Sequence, residues 1–176
     1  MKKYLISLIV LVFLAGTSCQ EKIDIEKEKE AIIAVNEEER NAFFDHDITR
    51  LEAIWVQEPT SQRVFTSENT LTILNGWTEI STNYRESMDA DWWNDYEDLM
   101  ANFSNYEINV YDNTALVYHD IKFTGKYLGE ETETNQKRVL HFVKIDGTWK
   151  IDFTAQLTIP IEKEEIEGES ETEETE

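Results

Sequence analysis

Residues 137–154 read KRVLHFVKIDGTWKIDFT, and their pattern carries the clearest structural signal in the chain. Apolar and polar residues alternate on both sides of Asp146-Gly147, a dipeptide that supplies the positive φ angles of a two-residue hairpin turn. A turn at this place also sets the register of the two strands. It pairs Lys144 with Trp149, Phe142 with Ile151, Leu140 with Phe153, Val143 with Lys150, and His141 with Asp152. We therefore predict an antiparallel hairpin with one mostly apolar face, directed at a core, and one mixed face.

The alternation of apolar and polar residues extends toward the N-terminus. It covers residues 105–110 and 115–126, which are separated by a second tight-turn sequence, Asp112-Asn113. Residues 129–136 are polar, and we interpret them as a connection to the strand at 137–145. These segments predict an antiparallel meander in the C-terminal half of the chain.

The strand at 115–126 carries apolar residues on both faces, such as Val117 on one and Tyr118 on the other. A sheet with one face in water alternates more cleanly than this. We therefore expect a second cover over the outer face, and a homodimer partner is the simplest one.

The N-terminal half is helical in its spacing. Three stripes of apolar residues recur at helical intervals: Ile25, Ile32, Val35, Ala42 and Phe43; Ile48, Leu51, Ile54 and Trp55; and Trp77, Ile80, Tyr84 and Met88. Two short β-rich runs, 63–66 and 70–74, precede the third stripe, and residues 89–100 fit either a helical turn or a packed loop. Helices followed by a meander predict an α+β fold, with three N-terminal helices on one face of the sheet.

The first residues are typical of an export signal. A basic start, an apolar run at 4–15 and small residues before Cys19 resemble a bacterial lipoprotein signal, and the run is too short to span a bilayer comfortably. We expect a signal peptide over 1–18 and a lipid on Cys19, followed by a linker over 19–26. The product would be exported and held on a bacterial membrane by its lipid alone. A buried cysteine and ordinary cleavage without lipid are the alternatives.

Composition narrows the functions further. The formal charge is −21, which argues against a protein that binds nucleic acid and against electrostatic docking on anionic lipid. A single cysteine excludes an intrachain disulfide. Residues 161–176 are rich in glutamate, so we expect a disordered acidic tail that either solvates the protein or binds cations or a basic partner. The folded domain is then expected over 27–160.

No motif for a metal, a phosphate or a nucleophilic serine is present, so we expect no metal and no cofactor. His141 and Asp152 are the catalytic candidates, because a carboxylate beside an imidazole suits a general base. A cross-strand polar pair without catalysis is the alternative. His119 and Asp120 point to opposite faces of one strand and make a joint site improbable. Trp92, Trp93 and Tyr96 fit either a stacking platform for a flat ligand or a plug at the end of the core.

Several segments together resemble the nuclear transport factor 2-like superfamily, and within it the SnoaL-like (polyketide cyclase-like) group. They are Asp47–Trp55, Gly76–Ile80 with Tyr84, Asn113–Val117, and Asp146–Ile151. The resemblance implies a cone, in which a strongly curved sheet wraps around three helices and leaves a pocket, and frequent dimerisation through the sheet. Members include isomerases, dehydratases, cyclases and binding domains. Many carry histidine in the last strand where this chain has Phe153 and Ala155, which removes the likeliest base.

We therefore expect a module that binds a small apolar or aromatic ligand or mediates dimer contacts, without evident catalysis. The alternative is a SnoaL-like isomerase, cyclase or dehydratase acting on a small apolar substrate, and a third possibility is a closed module with no cavity. The candidate pocket residues are Trp55, Trp77, Tyr84, Tyr118, Leu140, Phe142 and Phe153. An enzyme needs an ionisable side chain with a polar partner inside the cone, whereas a purely apolar lining favours binding.

Overall fold

The computed structural model describes residues 23–67 and 70–159. The predicted signal peptide 1–18, the lipid site Cys19 and the acidic tail 161–176 lie outside these residues. The helices of the described part are α1 (Ile25–Phe44), α2 (Ile48–Ile54) and α3 (Gly76–Met88), with a 3-10 helix at Asp91–Asp95. The strands are β1 (Gln62–Ser67), β2 (Thr70–Asn75), β3 (Tyr96–Tyr111), β4 (Thr114–Tyr127), β5 (Glu130–Ile145) and β6 (Thr148–Thr158). None of these helices has both the length and the apolar character that crossing a bilayer requires.

The helices begin at capping side chains. Asp24 accepts a hydrogen bond from the backbone N–H of Lys27, so that α1 begins at Ile25 and the last two residues of the predicted linker are helical. Asp47 caps α2 by accepting from the N–H groups of Thr49 and Arg50. The buried side chains of α1 are Ile32, Asn36, Glu39 and Ala42. Two polar residues therefore lie on the face of α1 that is turned to the sheet.

The sheet contains six strands in the order β2-β1-β6-β5-β4-β3. All neighbouring strands are antiparallel except β1 and β6, which run parallel. The prediction of an antiparallel sheet thus holds for the meander, and the parallel pair is a difference. A turn sequence predicts only the pairing of two consecutive strands. Strands β1 and β6 are separated by α3 and four other strands, so no turn sequence indicates that they pair.

The hairpin at Asp146-Gly147 forms as predicted, with positive φ at both residues. The predicted pairs Phe142 with Ile151 and Lys144 with Trp149 are confirmed. Beyond them the predicted register is wrong, because a bulge makes Asp152 an extra residue of β6. His141 therefore lies opposite Phe153.

The bulge changes the face on which the following residues lie. Leu140 is opposite Thr154 instead of Phe153. Thr154 is buried on the inner face of the sheet, and Phe153 lies on the outer face with His141.

Residues 129–136 do not form the polar connection that we predicted. The turn is at Leu128 and Gly129, both with positive φ, and β5 begins at Glu130. The strand is polar on both faces here, and its inner-face residues Thr132, Thr134 and Gln136 are only partly buried and border a groove with Trp92 and Tyr96. Backbone pairing and cross-strand contacts such as Lys122–Glu133 (2.8 Å) hold it.

Strand β3 begins at Tyr96, well before the predicted start at Asn105. Two irregularities interrupt its pairing with β4, and Asp98 and Asn105 adopt positive φ at them. Ala101 and Phe103 face inward before the second irregularity, and Tyr106 faces inward after it. Because the inward-facing positions change from odd to even, a search for period-two alternation does not detect the whole strand. Such bulges also bend a strand.

The core lies between the helices and the concave face of the sheet. Its fully buried side chains come from both layers: Ile32, Leu51, Trp55 and Ile80 from the helical half, and Val117, Leu140, Phe142 and Ile151 from the strands. At one end of this core the layers diverge and leave a pocket.

Candidate functional site

A pocket opens between the middle of α1 and the inner face of the sheet. Its empty volume is about 440 Å³, including space that is open to solvent. Its lining residues are Glu39, Arg40, Phe43, Phe44, Arg63, Tyr84, Ala101, Phe103, Ile121, Phe123, Arg138 and Gln156. We call this cavity the cone pocket.

The walls of the cone pocket are largely aromatic. Phe43 packs against Tyr84, with ring centroids 5.9 Å apart, and Phe44 packs edge-on against Phe43. Phe103 and Phe123 contribute from the two strands that face α1. Apolar walls with a few polar groups are typical of small-molecule sites.

The polar end of the pocket is an ion pair between α1 and β5. Arg138 Nη2 lies 2.8 Å from Glu39 Oε1 and 2.6 Å from Glu39 Oε2, and the two side chains are 6% and 4% exposed. The Tyr84 hydroxyl donates to Glu39 Oε1 at 2.5 Å. Arg138 Nε donates to the Thr154 hydroxyl, which the β6 bulge turns inward. The lining of the cone pocket is therefore not purely apolar, because it contains an ionisable side chain with polar partners.

Burial also acts on Tyr84. Desolvation first, and then the charge of Glu39, raise the pKa of its hydroxyl well above the ordinary value. The phenol remains a hydrogen-bond donor to the carboxylate at neutral pH.

Two further arginines border the pocket. The Arg63 guanidinium stacks on the rings of Tyr84 (4.3 Å) and Phe65 (4.8 Å), and its Nη1 donates to the Asn83 side chain. The Arg40 guanidinium lies 5.0 Å from the centre of the Phe103 ring. Stacking on aromatic faces is a favourable arrangement for this planar cation.

A second polar cluster lies deeper in the cone, around His119. Asn36 Nδ2 lies 3.0 Å from His119 Nε2 and 3.0 Å from the Tyr106 hydroxyl. His119 Nδ1 lies 3.1 Å from the backbone oxygen of Asp120, a partner that can only accept, which assigns the proton to Nδ1. Burial first, and then the charge of Arg138, lower the pKa of His119 to about 4. His119 is therefore a neutral imidazole at neutral pH.

The predicted pocket residues are spread over three environments. Tyr84 alone among them lines the cone pocket. Trp55, Leu140 and Phe142 are fully buried in the core, and Trp77 is partly buried beside Pro59 in a separate shallow groove. Tyr118 and Phe153 lie on the outer face of the sheet.

The side chains of His141 and Asp152 meet as predicted, with Nδ1 and Oδ1 2.7 Å apart. Their position is on the outer face, since His141 pairs with Leu116 and the neighbours Ala115 and Val117 point inward. The pair therefore does not face the cone pocket.

The aromatic cluster after α3 combines the two predicted roles. Trp93 packs against Phe43 and Phe44 and closes the end of the core. Trp92 stacks on Trp93 at 4.4 Å, is 37% exposed, and borders a second groove with Tyr96.

Sequence reasoning missed Glu39, Arg138, Arg40 and Arg63 as site residues. Glu39 stands among other glutamates on a helix, and 99 positions separate it from Arg138. One pattern could have exposed it: Asn36 and Glu39 lie at helical spacing within the apolar stripe of α1. Among the residues that the structure describes, no group of three or more histidine, cysteine, aspartate or glutamate side chains is placed to hold a metal ion.

No protein-family model and no curated protein matches this sequence. Solved structures do match. A nuclear transport factor 2-like superfamily protein from Salmonella enterica serovar Typhimurium LT2 aligns with a TM-score of 0.64 at 17% identity, covering 81% of this chain and 98% of that one. Hexachlorocyclohexane dehydrochlorinase LinA-type3 from Novosphingobium barchaimii LL02 aligns with a TM-score of 0.61 at 12% identity, covering 78% of this chain and 90% of that one. A nuclear transport factor 2-like protein from Cytophaga hutchinsonii aligns with a TM-score of 0.55 at 16% identity, covering 74% of this chain and 98% of that one. The chain thus has the nuclear transport factor 2-like α+β cone fold, as predicted.

Proposed function

We propose that the domain is a binding module for a small molecule with an apolar or aromatic body, which occupies the cone pocket. The pocket has the aromatic walls and the few polar groups that are typical of such sites. We further propose that the module resembles the SnoaL-like group and carries out no acid–base chemistry of its own.

The observation that supports binding over catalysis is the state of Glu39. Among the residues that the structure describes, it is the only acidic side chain that lines the pocket. Its carboxylate already interacts with the Tyr84 hydroxyl and with Arg138. A general base needs a lone pair directed at the substrate. Oε1 of this carboxylate accepts from both of the protein's donors, and Oε2 is buried 2.6 Å from Arg138 Nη2 with no hydrogen bond of its own. His119 is likewise engaged through both ring nitrogens.

The test is a screen of small aromatic compounds, neutral and acidic, by ligand-observed NMR. We expect several to bind, and the variant Ala101→Met, which fills the pocket, to weaken them by about tenfold or more. Ala34→Met places the same side chain on the exposed face of α1 and should leave binding unchanged. Binding that Ala101→Met does not affect would place the ligand elsewhere and contradict the proposal.

An enzyme of the isomerase, cyclase or dehydratase kind is the second candidate. It is favoured by the ionisable Glu39 and its hydroxyl partner inside the cone, and a dehydrochlorinase shares the fold. Proton abstraction would exchange a C–H of the bound compound for solvent deuterium. Deuterium uptake that disappears in Glu39→Gln would establish this candidate over the first.

Dimerisation through the outer face is part of the proposal. Several large apolar side chains are exposed there: Leu71 (58%), Ile73 (52%), Leu157 (45%) and Tyr118 (40%). Light scattering on the unlipidated protein should give a dimer, and Tyr118→Glu should give a monomer. A monomeric parent protein at micromolar concentration would contradict this part.

Export and lipidation remain proposals that rest on the residues around Cys19. Labelling of cells with a fatty acid analogue should modify the protein, and Cys19→Ser should remove the label. Secretion of an unlabelled parent protein would favour ordinary signal cleavage.

A further inference from the structure

The cone pocket is electropositive in a strongly acidic protein. The chain has a formal charge of −21 and contains only five arginines. Three of them, Arg40, Arg63 and Arg138, line this one cavity, and Glu39 is the single carboxylate that the described part of the chain contributes to it. The pocket lining is therefore cationic, with a formal excess of two positive charges. An overall negative field repels small anions, so a local reversal of charge is a feature that a neutral ligand would not require.

The three arginines are not equivalent. Arg138 is neutralised by Glu39. The other ion pairs of arginine among the described residues belong to Arg50 and Arg85, outside the pocket. None of the described carboxylates forms an ion pair with Arg40 or Arg63.

Both of these guanidinium groups retain hydrogen-bonding capacity. A guanidinium has five N–H donors in a planar fork. The bonds of Arg63 use one donor nitrogen, to Asn83 at 2.5 Å. Arg40 bonds to the Asn41 side chain at 3.1 Å and more weakly to the Ala101 carbonyl at 3.4 Å. Stacking on Tyr84 and Phe103 engages the faces of these groups, and face stacking leaves the edge of the fork for an anion.

We infer that the ligand of the cone pocket is a small organic acid, whose carboxylate is bound by Arg63 and Arg40 while its apolar or aromatic body packs on the phenylalanine walls. This inference rests on the proposed binding function and specifies its ligand class. A planar carboxylate matches the guanidinium fork in a bidentate manner. Arg138 does not bind the ligand carboxylate, because its charge is already paired with Glu39 at the polar end of the cavity.

The test compares trans-cinnamate with trans-cinnamamide, which share shape and aromatic body and differ in charge. Titration calorimetry or ligand-observed NMR on the folded protein measures both dissociation constants. We expect cinnamate to bind about tenfold or more tightly than cinnamamide, since charge-assisted pairing is the stronger kind of hydrogen bond.

Two variants locate the preference. Arg63→Gln and, independently, Arg40→Gln should each reduce the acid-to-amide affinity ratio severalfold, because each removes a cation that pairs with the charge of cinnamate and finds no charge on cinnamamide. Arg85→Gln, an exposed arginine of α3 outside the pocket lining, is the matched control and should preserve the ratio.

The outcomes separate the two claims. Equal affinities for acid and amide, or an acid preference that survives both pocket variants, would overturn the inference and leave the binding function standing. Absence of binding by this pair and by every compound of the aromatic screen would overturn the proposed function and the inference together.

Discussion

The two faces of the sheet each carry a close pair of an acid and a base, and the pairs differ in almost everything except distance. Glu39 and Arg138 meet on the inner face, where they are 4% and 6% exposed. His141 and Asp152 meet on the outer face at 2.7 Å, with 36% and 29% of their side chains exposed. The sequence predicted the outer pair and missed the inner one. Because the inner pair is buried, removing one of its partners should cost more free energy of unfolding than removing a partner of the exposed outer pair.

The largest effect is expected from breaking the inner pair. Glu39→Gln leaves the Arg138 charge buried without its counter-ion, and removal of one partner of a buried pair costs about 3–5 kcal/mol. Chemical denaturation should show this loss. Glu37→Gln is the control, because Glu37 is exposed on the same helix. Similar stability of the two variants would mean that the inner pair contributes no more than a surface charge.

The His119 cluster predicts a pH dependence that the outer histidine does not share. Burial lowers the pKa of His119 to about 4 from 6.5. The unfolded chain therefore binds a proton at a higher pH than the folded protein does. The stabilisation from the neutral imidazole is complete above pH 6.5 and is lost as the pH falls toward 4, to an extent on the order of 3 kcal/mol.

Urea denaturation at several pH values measures this dependence. Carboxylates with lowered pKa values, such as Glu28 and Asp120, add a further loss at lower pH. Subtracting the profile of His119→Gln isolates the histidine. Parallel profiles for the two proteins between pH 4 and 6.5 would contradict the burial of a neutral His119.

Tyr84→Phe should have an intermediate effect. It removes one hydrogen bond to the buried Glu39 carboxylate while keeping the ring that packs on Phe43. Hydrogen bonds to charged groups contribute about 1.5–3 kcal/mol, and we expect a loss near the lower end because Arg138 remains in place. A thermal melt together with denaturant unfolding checks it, and unchanged stability would show that the hydroxyl is not needed by the network.

The outer pair should give the smallest effect. Asp152→Asn alters one partner of a partly exposed cross-strand polar pair, and such a pair is worth less than about 1 kcal/mol. Denaturant unfolding of the variant and the parent protein measures this difference. A loss as large as that from Glu39→Gln would erase the distinction between the two faces.

The hairpin turns and the helices could be predicted because their causes are local. Asp146-Gly147 and Asp112-Asn113 carry the turn chemistry in the residues themselves, and Asp47 caps α2 from the adjacent position. Apolar spacing located the three helices to within a few residues of their observed bounds.

The parts that could not be predicted depend on partners that are remote in sequence or on irregular backbone. The extra residue Asp152 moves Phe153 to the outer face and Thr154 to the inner face. No turn sequence or periodicity predicts this bulge. Glu39 reads as one more surface glutamate until the fold places Arg138 against it. The polar start of β5 lacks the alternation on which strand prediction rests, because its inner-face residues border a groove and are only partly buried.

The proposal that the pocket binds and does not abstract protons depends on Glu39 and Arg138 neutralising each other across their buried ion pair. A double-mutant cycle with Glu39→Gln and Arg138→Met measures this coupling directly. We predict a coupling free energy of about 2 kcal/mol or more, within the range for residues of one buried network. A coupling below about 0.5 kcal/mol, the size expected for independent sites, would contradict the claim.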